Sequence, residues 1–399
     1  MNIEVNNLAT LVAAIGLLLV GKLLVSWIRP LQQYNIPVPV VGGLAFATLF
    51  AIVQTQTPLR LSFDTDLRSF LMLAFFAGVG LTADLARLRR GGVTLVIFLF
   101  VVAGFLVIQN AIGAGMAYAL DLHPAIGLLA GSITLSGGHG TGAAWAERFS
   151  EINNLSGALE LAVASATFGL VIGGLIGGPV SQFLIKRHQL QPNAGSAQDS
   201  TSAPTEASAV TASGTLVTLF MLVLAVVLGD LMFNTFKDAP VKLPAFIWAL
   251  FAGVLLRNLL GAVRLYRVDE VSLDLLGTLA LWLALALTFM GLRLWELLDL
   301  AGPLLAVVLA QTLGIIVFAT VVTFRALGAN YDAAVMAAGH CGFGMGATPT
   351  AIANMQAVTA RYGPSPQAFI VVPMIGAFFI DLLNALVIQI FLELPQHGF

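Results

Sequence analysis

Ten apolar runs, most of them close to 20 residues long, follow one another along the chain: about 8–28, 36–56, 69–83, 93–120 and 155–185, then 214–236, 243–262, 271–292, 300–324 and 367–392. A helix needs about 20 such residues to cross roughly 30 Å of hydrocarbon. In lipid every backbone N–H and C=O must find its partner inside the protein, so runs of this length are read as helices. Composition agrees: 58% of the 399 residues are hydrophobic and 10% are charged, against about 25% charged in a soluble domain. The chain therefore reads as an all-α polytopic membrane protein. A net charge of −2, without basic clusters or aromatic-basic patches, argues against a nucleic-acid partner. Cys341 is the only cysteine, which excludes an intrachain disulfide and a thiolate metal site. The first run is too long for the core of a secretory leader and reads as a retained span, with Lys22 reaching to the interface.

Two glycine-rich stretches repeat across the two halves. Gly138-His-Gly-Thr-Gly-Ala143 and Gly342-Phe-Gly-Met-Gly-Ala347 share G-x-G-x-G-A and start 204 positions apart. Other landmarks recur in the same order: Pro39 and Pro244 at 205, Gly80-Leu81 and Gly291-Leu292 at 211, Gly169 and Gly376 at 207. The pattern predicts a duplication, with one membrane repeat over 1–188 and another over 215–399. The segment between them, 189–214, is rich in Ser, Ala, Thr and Pro and holds no Lys, Arg or aromatic residue. Such a segment buries too little apolar surface to order itself and reads as a flexible linker.

The glycine stretches lie in segments of ambiguous length, about 123–146 and 332–356. Lys and Arg placement arbitrates between full spans and re-entrant hairpins. With both segments re-entrant and the N-terminus outside, 12 basic residues fall inside and 6 outside; with both crossing, the division is 10 and 8. Inner loops carry the excess of positive charge, so re-entrant hairpins are preferred. Each half then has about five spans and one hairpin. An odd number of spans turns the second half over, giving inverted-topology repeats with periplasmic termini and a cytoplasmic linker.

Matched glycine breaks in two halves point to a transporter's binding site. A helix that restarts after a break aims free N–H groups and a positive dipole end at the gap, which suits an anion. Thr348-Pro349 fits such a restart, since proline suits the first turn; in the first hairpin helical residues resume at Ala143-Ala-Trp-Ala. The candidate substrate residues are Ser136, Gly137, Gly138, His139, Gly140, Thr141, Gly142, Gly342, Gly344, Gly346, Thr348, Thr350 and Asn354. A carboxylate within a span is costly and marks function, which singles out Asp381. Asn384 lies three residues on, on the same helical face. With Asn110 and Gln109 these form the candidate oxygen ligands for Na⁺. Against each stands a structural role: glycines as packing surfaces, His139 and His340 as partners for freed carbonyls, the amides as interhelical hydrogen bonds. No basic residue falls at the centre of a span, and Arg293, at the start of an external loop, stays unranked. Neither glycine stretch has the G-K-[ST] ending of a phosphate loop, and no nucleophile–base pair or H-E-x-x-H motif points to an enzyme.

At these residues the chain resembles the bacterial sodium/glutamate symporter family. The resemblance is carried by Leu135-Ser-Gly-Gly-His-Gly-Thr-Gly-Ala-Ala-Trp145, by Ala338-Gly-His-Cys-Gly-Phe-Gly344 and by Ala347-Thr-Pro-Thr-Ala-Ile-Ala-Asn-Met355. It extends to Met72-Leu-Ala-Phe-Phe76, Gln109-Asn-Ala-Ile-Gly113 and Pro373-Met-Ile-Gly-Ala-Phe-Phe-Ile-Asp381. The resemblance implies Na⁺-coupled uptake of L-glutamate across the bacterial inner membrane without a further cofactor. It also implies a homodimer, two re-entrant loops meeting at the substrate, and elevator-like motion of a transport domain. Symport of another organic anion with Na⁺ or H⁺ on the same fold is the alternative.

Overall fold

A computed structural model describes residues 2–33, 36–56, 60–63, 66–153, 155–192, 210–236, 243–262, 269–290 and 301–393. Arg293 and the middle of the linker, 193–209, lie outside them. The helices in chain order are α1 (Asn7–Trp27), α2 (Arg29–Gln33), α3 (Val38–Gln56), α4 (Asp66–Thr82), α5 (Leu85–Ala119), α6 (Pro124–Leu128), α7 (Gly138–Asn153), α8 (Ala158–His188), α9 (Ala212–Phe236), α10 (Ala245–Ala262), α11 (Glu270–Phe289), α12 (Ala301–Phe318), α13 (Phe324–Ala326), α14 (Tyr331–Gly344), α15 (Thr348–Tyr362), α16 (Pro366–Met374) and α17 (Ile380–Glu393).

Among the described residues six helical stretches are long and apolar enough to cross a bilayer: Asn7–Trp27, Gly92–Ala119, Ala158–His188, Ala212–Phe236, Glu270–Phe289 and Ala301–Ala326. Shorter apolar stretches run over Val38–Ile52, Leu67–Thr82 and Ala245–Gly261. The last apolar run is not one rod. A π-helical turn, Ile375–Phe379, separates α16 from α17 just after Pro373. A π turn widens the helix locally without ending it.

The chain divides into two compact units, and each takes a piece from either half. The first comprises Met1–Asp84 and Ser208–Asp299, the second Leu85–Ala207 and Leu300–Phe399. In the first unit α4 packs on α10 and α9 around Ala74, Ala77, Leu81, Leu222, Ala225 and Ala249. Gly80 and Gly253 face each other where α4 meets α10, and neither site has room for a Cβ. At the end of this contact Arg257 pairs with Asp84 at 3.2 Å and Glu270 at 3.3 Å. Asp269 caps α11, accepting from Val271 N at 3.2 Å and from the Ser272 hydroxyl at 2.7 Å. The Ser272 hydroxyl is the main reason its carboxyl titrates below the usual aspartate value. One element departs from an all-helical reading. Residues Asn2–Val5 (β1) and Arg60–Phe63 (β2) form a two-stranded parallel pair, Asn2 opposite Arg60 and Val5 opposite Phe63.

In the second unit α8 is the packing centre for α7, α14 and α15. Its Gly169, Gly173 and Gly177 recur every four residues and form one smooth face. Against it lie Met345, the carbonyls of Cys341 and Gly342, and Asn354. Small residues at this spacing let helix backbones approach closely, which in lipid replaces the missing hydrophobic drive between helices.

Candidate functional site

Both glycine stretches interrupt helices, and both interruptions lie in the second unit. The second is simple. Helix α14 starts on the Asn330 side chain, which accepts from Ala333 N at 2.9 Å, and every residue of α14 is buried. It stops at Gly344, Met345–Ala347 form the gap, and α15 restarts at Thr348 with Pro349 in its first turn. The two arms press together at Gly342, where a Cβ would overlap the backbone of Ala351. The α15 N-cap, Ala347, offers no side-chain acceptor, so the first amides of α15 keep their hydrogen-bonding capacity. Beside them the Thr350 hydroxyl is buried at 2% exposure with no partner. The start of α15 thus carries an uncapped turn and a bare hydroxyl side by side.

The first break differs from expectation. After α6 the chain makes a π-helical turn, Leu129–Ile133, in which Gly131 is non-helical (φ −100°, ψ −133°). Ser132 O then takes Gly137 N at 3.0 Å, and helix α7 begins at Gly138, five residues before Ala143. Gly138 has φ +71°, a left-handed conformation that glycine enters without steric cost. The glycines after it are helical because the site is buried and packing supplies what their propensity lacks. Gly140 and Gly142 therefore lie in α7, and Gly142 packs on Thr134. A Cβ on Gly138 would stand 3.8 Å from the carbonyl of Gly346, so the two breaks come together.

Gln109, on α5, ties them. Its Oε1 accepts from the Ser136 hydroxyl at 2.6 Å and its Nε2 donates to Gly344 O at 2.8 Å. Gln311 on α12 fixes Gln109 in turn, donating to its backbone carbonyl at 2.8 Å. The neighbouring Asn110 holds the first break: its Oδ1 accepts from Ser132 N at 3.1 Å, and Asn384 Nδ2 donates to Ser132 O at 2.8 Å. Asp381 reaches the same break at another point, through a hydrogen bond with the Thr141 hydroxyl. The candidate cation ligands thus fall into three places. Gln109 links the breaks, Asn110 and Asn384 bracket Ser132, and Asp381 meets Thr141.

Other candidates sit apart from the junction. Asn354 donates to Gly173 O at 2.8 Å and anchors α15 to α8. By contrast Gly346 belongs to the junction, its carbonyl facing Gly138, and it also packs on Leu170. His139 Nε2 is 3.1 Å from the Thr167 hydroxyl, whose own proton goes to Val163 O at 2.7 Å. His340 Nδ1 is 2.8 Å from the Thr323 hydroxyl, and its ring lies among Phe98, Phe105, Phe318 and Phe343. Both histidines are partnered by hydroxyls, not by the freed carbonyls expected of them. Ser132 and Gln311 escaped the sequence reading. Gln311 had a signal: it follows Gln109 by 202 positions, close to the offset of the duplication. Ser132 had none, since only the non-helical Gly131 makes it special. Among the described residues no group of three or more His, Cys, Asp and Glu assembles a metal site.

Spanning helices with paired interruptions, joined by buried amides and edged by uncapped amides, define a membrane transporter of the broken-helix class. Comparison with known proteins narrows this. A family model for the sodium/glutamate symporter matches residues 3–364. The chain is similar to the sodium/glutamate symporter of Escherichia coli K12, 50% identical over 398 residues, covering 98% of each chain. It is also similar to that of Haemophilus influenzae, 46% identical over 395 residues with 98% of each covered. The chain belongs to the sodium/glutamate symporter family, a family of transporters and not of enzymes.

Proposed function

We propose that the protein carries L-glutamate together with Na⁺ across the bacterial inner membrane. The reading rests on one observation above the rest: two helix interruptions held together by Gln109, with the uncapped start of α15 and the unpartnered Thr350 hydroxyl beside them. A dicarboxylate leaving water needs donors and a positive field, and helix amides with threonine hydroxyls supply both. The glutamate carboxylates lie between Ser136–Gly142 and Gly342–Thr350. Na⁺ is held by oxygens at the first break, including the Asp381 carboxylate beside Thr141.

Coupling follows from charge. Glutamate carries one net negative charge, and an uncompensated charge at the centre of a bilayer costs several kcal/mol. Bound Na⁺ offsets it, so the loaded carrier crosses and the half-loaded one is held back. The two discontinuous units fit an elevator motion, with the second unit as the moving carrier and the first as a scaffold that pairs with a second copy. In this reading the breaks are re-entrant, 1–188 and 215–399 are inverted repeats, the termini are periplasmic, and 189–214 is the cytoplasmic connection.

The test is uptake of labelled glutamate by the purified protein in proteoliposomes, with Na⁺, H⁺ and K⁺ gradients imposed separately. Accumulation driven by the Na⁺ gradient is expected. Uptake that persists without it, or follows the H⁺ gradient, overturns the coupling; counterflow with a panel of dicarboxylates and amino acids tests the substrate.

A further inference from the structure

Four polar side chains gather around the Gly131–Ser132 peptide, and each keeps one atom without a partner. Asn110, Ser132, Gln311 and Asn384 are fully enclosed, at 0% exposure. Three are amides whose orientation is fixed by a backbone group. Asn110 Oδ1 holds Ser132 N, Asn384 Nδ2 holds Ser132 O, and Gln311 Nε2 holds Gln109 O. A Cβ on Gly131 would lie 3.1 Å from Asn110 Oδ1 and 3.6 Å from Gln311 Nε2, which places these groups about one peptide. Three oxygens are left over, Ser132 Oγ, Asn384 Oδ1 and Gln311 Oε1, with one donor, Asn110 Nδ2.

Several helix hydroxyls return to the carbonyl four residues back, as Thr167 does to Val163, Thr288 to Ala284 and Thr312 to Val308. Ser132 makes no such bond, because Gly131 leaves the helical conformation directly before it. Buried polar atoms left bare are rare, and a cluster of them calls for an explanation. Hard, neutral oxygens beside a broken helix suit an alkali cation, and the absence of a carboxylate from the set disfavours a divalent one.

We propose that Ser132 Oγ, Asn384 Oδ1 and Gln311 Oε1 hold a Na⁺ ion in a neutral oxygen site separate from the Asp381–Thr141 pair. The proposal deepens the Na⁺-coupled reading above and rests on it. It also sharpens the charge argument. Na⁺ bound at Asp381 is neutralised by the protein itself, whereas in a neutral cage its charge survives to balance glutamate. The competing occupant is a water, which would satisfy Asn110 Nδ2 as well as the oxygens.

The experiment uses the full chain, wild type, Ser132→Ala and Gln311→Met, reconstituted in proteoliposomes and also purified in detergent. Uptake is measured against Na⁺ concentration, and Tm is measured in NaCl and choline chloride without glutamate. Each variant is expected to raise the Na⁺ concentration for half-maximal uptake by about tenfold, one lost ligand's worth. Each should also flatten the slope of Na⁺ activation and shrink the Na⁺-specific rise in Tm. Folded variants with an unchanged Na⁺ midpoint and Tm response mean a water or packing role and overturn the site. If Ser132→Ala does not fold, Gln311→Met decides; failure of both to fold makes the cluster structural and also overturns it. A wild type that needs no Na⁺ sinks the parent reading, whereas a Na⁺-dependent wild type with indifferent variants sinks this site alone.

Discussion

The two glycine stretches share G-x-G-x-G-A yet fold differently. In the second, α14 ends and α15 begins across Met345–Ala347, and Thr348-Pro349 sets the restart. In the first, no proline follows; the helix resumes at once at Gly138, and the irregularity moves upstream to Gly131. Glycines permit a break, but they do not say where it falls. A proline placed after them does, because it fixes φ and cannot donate to the turn before it.

The largest effect is expected where a side chain would enter backbone. Gly342→Val forces the arms of the second break apart at Ala351. Uptake should fall by about a hundredfold, the scale of an overpacked core. The matching change, Gly138→Val, places a β-branched residue at φ +71° and should cost a comparable factor. Normal uptake in either variant would mean that break is not rigid.

Next comes the strut that joins the breaks. Gln109→Leu leaves the Ser136 hydroxyl and Gly344 carbonyl without their amide partner. The Ser136 hydroxyl still reaches Gly344 O, 3.3 Å away, so the loss is that of a hydrogen bond, about 0.5–1.5 kcal/mol, and glutamate transport should drop by roughly twofold to tenfold. An unaffected rate would show that the breaks hold together without it. Asp381→Asn tests the first break alone, through Thr141. It should weaken the Na⁺ response about tenfold, the worth of a charged hydrogen bond, with normal expression; an unchanged Na⁺ response removes Asp381 from the site.

Smaller effects sharpen the contrast. Pro349→Ala should lower Tm slightly, by the equivalent of about 0.4–1 kcal/mol, and leave the first break's variants unaffected in a double-mutant test. The smallest change concerns the first unit. Asp269 titrates below its ordinary value, so its capping contribution is full above about pH 4 and is lost as pH falls through its lowered pKa. Asp269→Asn should therefore show a flatter Tm between pH 6 and pH 3 without altering Na⁺ dependence.

Much of the molecule was legible beforehand. The apolar runs locate the helices, because length and hydropathy alone decide what can cross a bilayer. The second break was placed almost to the residue, because Thr348-Pro349 carries a local signal. The first was placed too late, at Ala143 instead of Gly138, because burial overrides the weak helix propensity of Gly140 and Gly142. Of the amides, Gln109 and Asn110 stood out as polar groups within an apolar run, but their pairing with Ser136 and Ser132, 27 and 22 residues away, did not.

Hydropathy and the duplicated glycine motif determined by themselves that this chain is a helical membrane protein with two interruptions, since both depend on local chemistry. The tertiary structure decided how those interruptions are used. It gathered Ser136 and Gly344 on Gln109, left Ser132 without a carbonyl to bond, and drew each compact unit from both halves. Such contacts join residues up to 252 positions apart, and they are settled by packing and by the need of every buried polar atom for a partner, which no local pattern encodes.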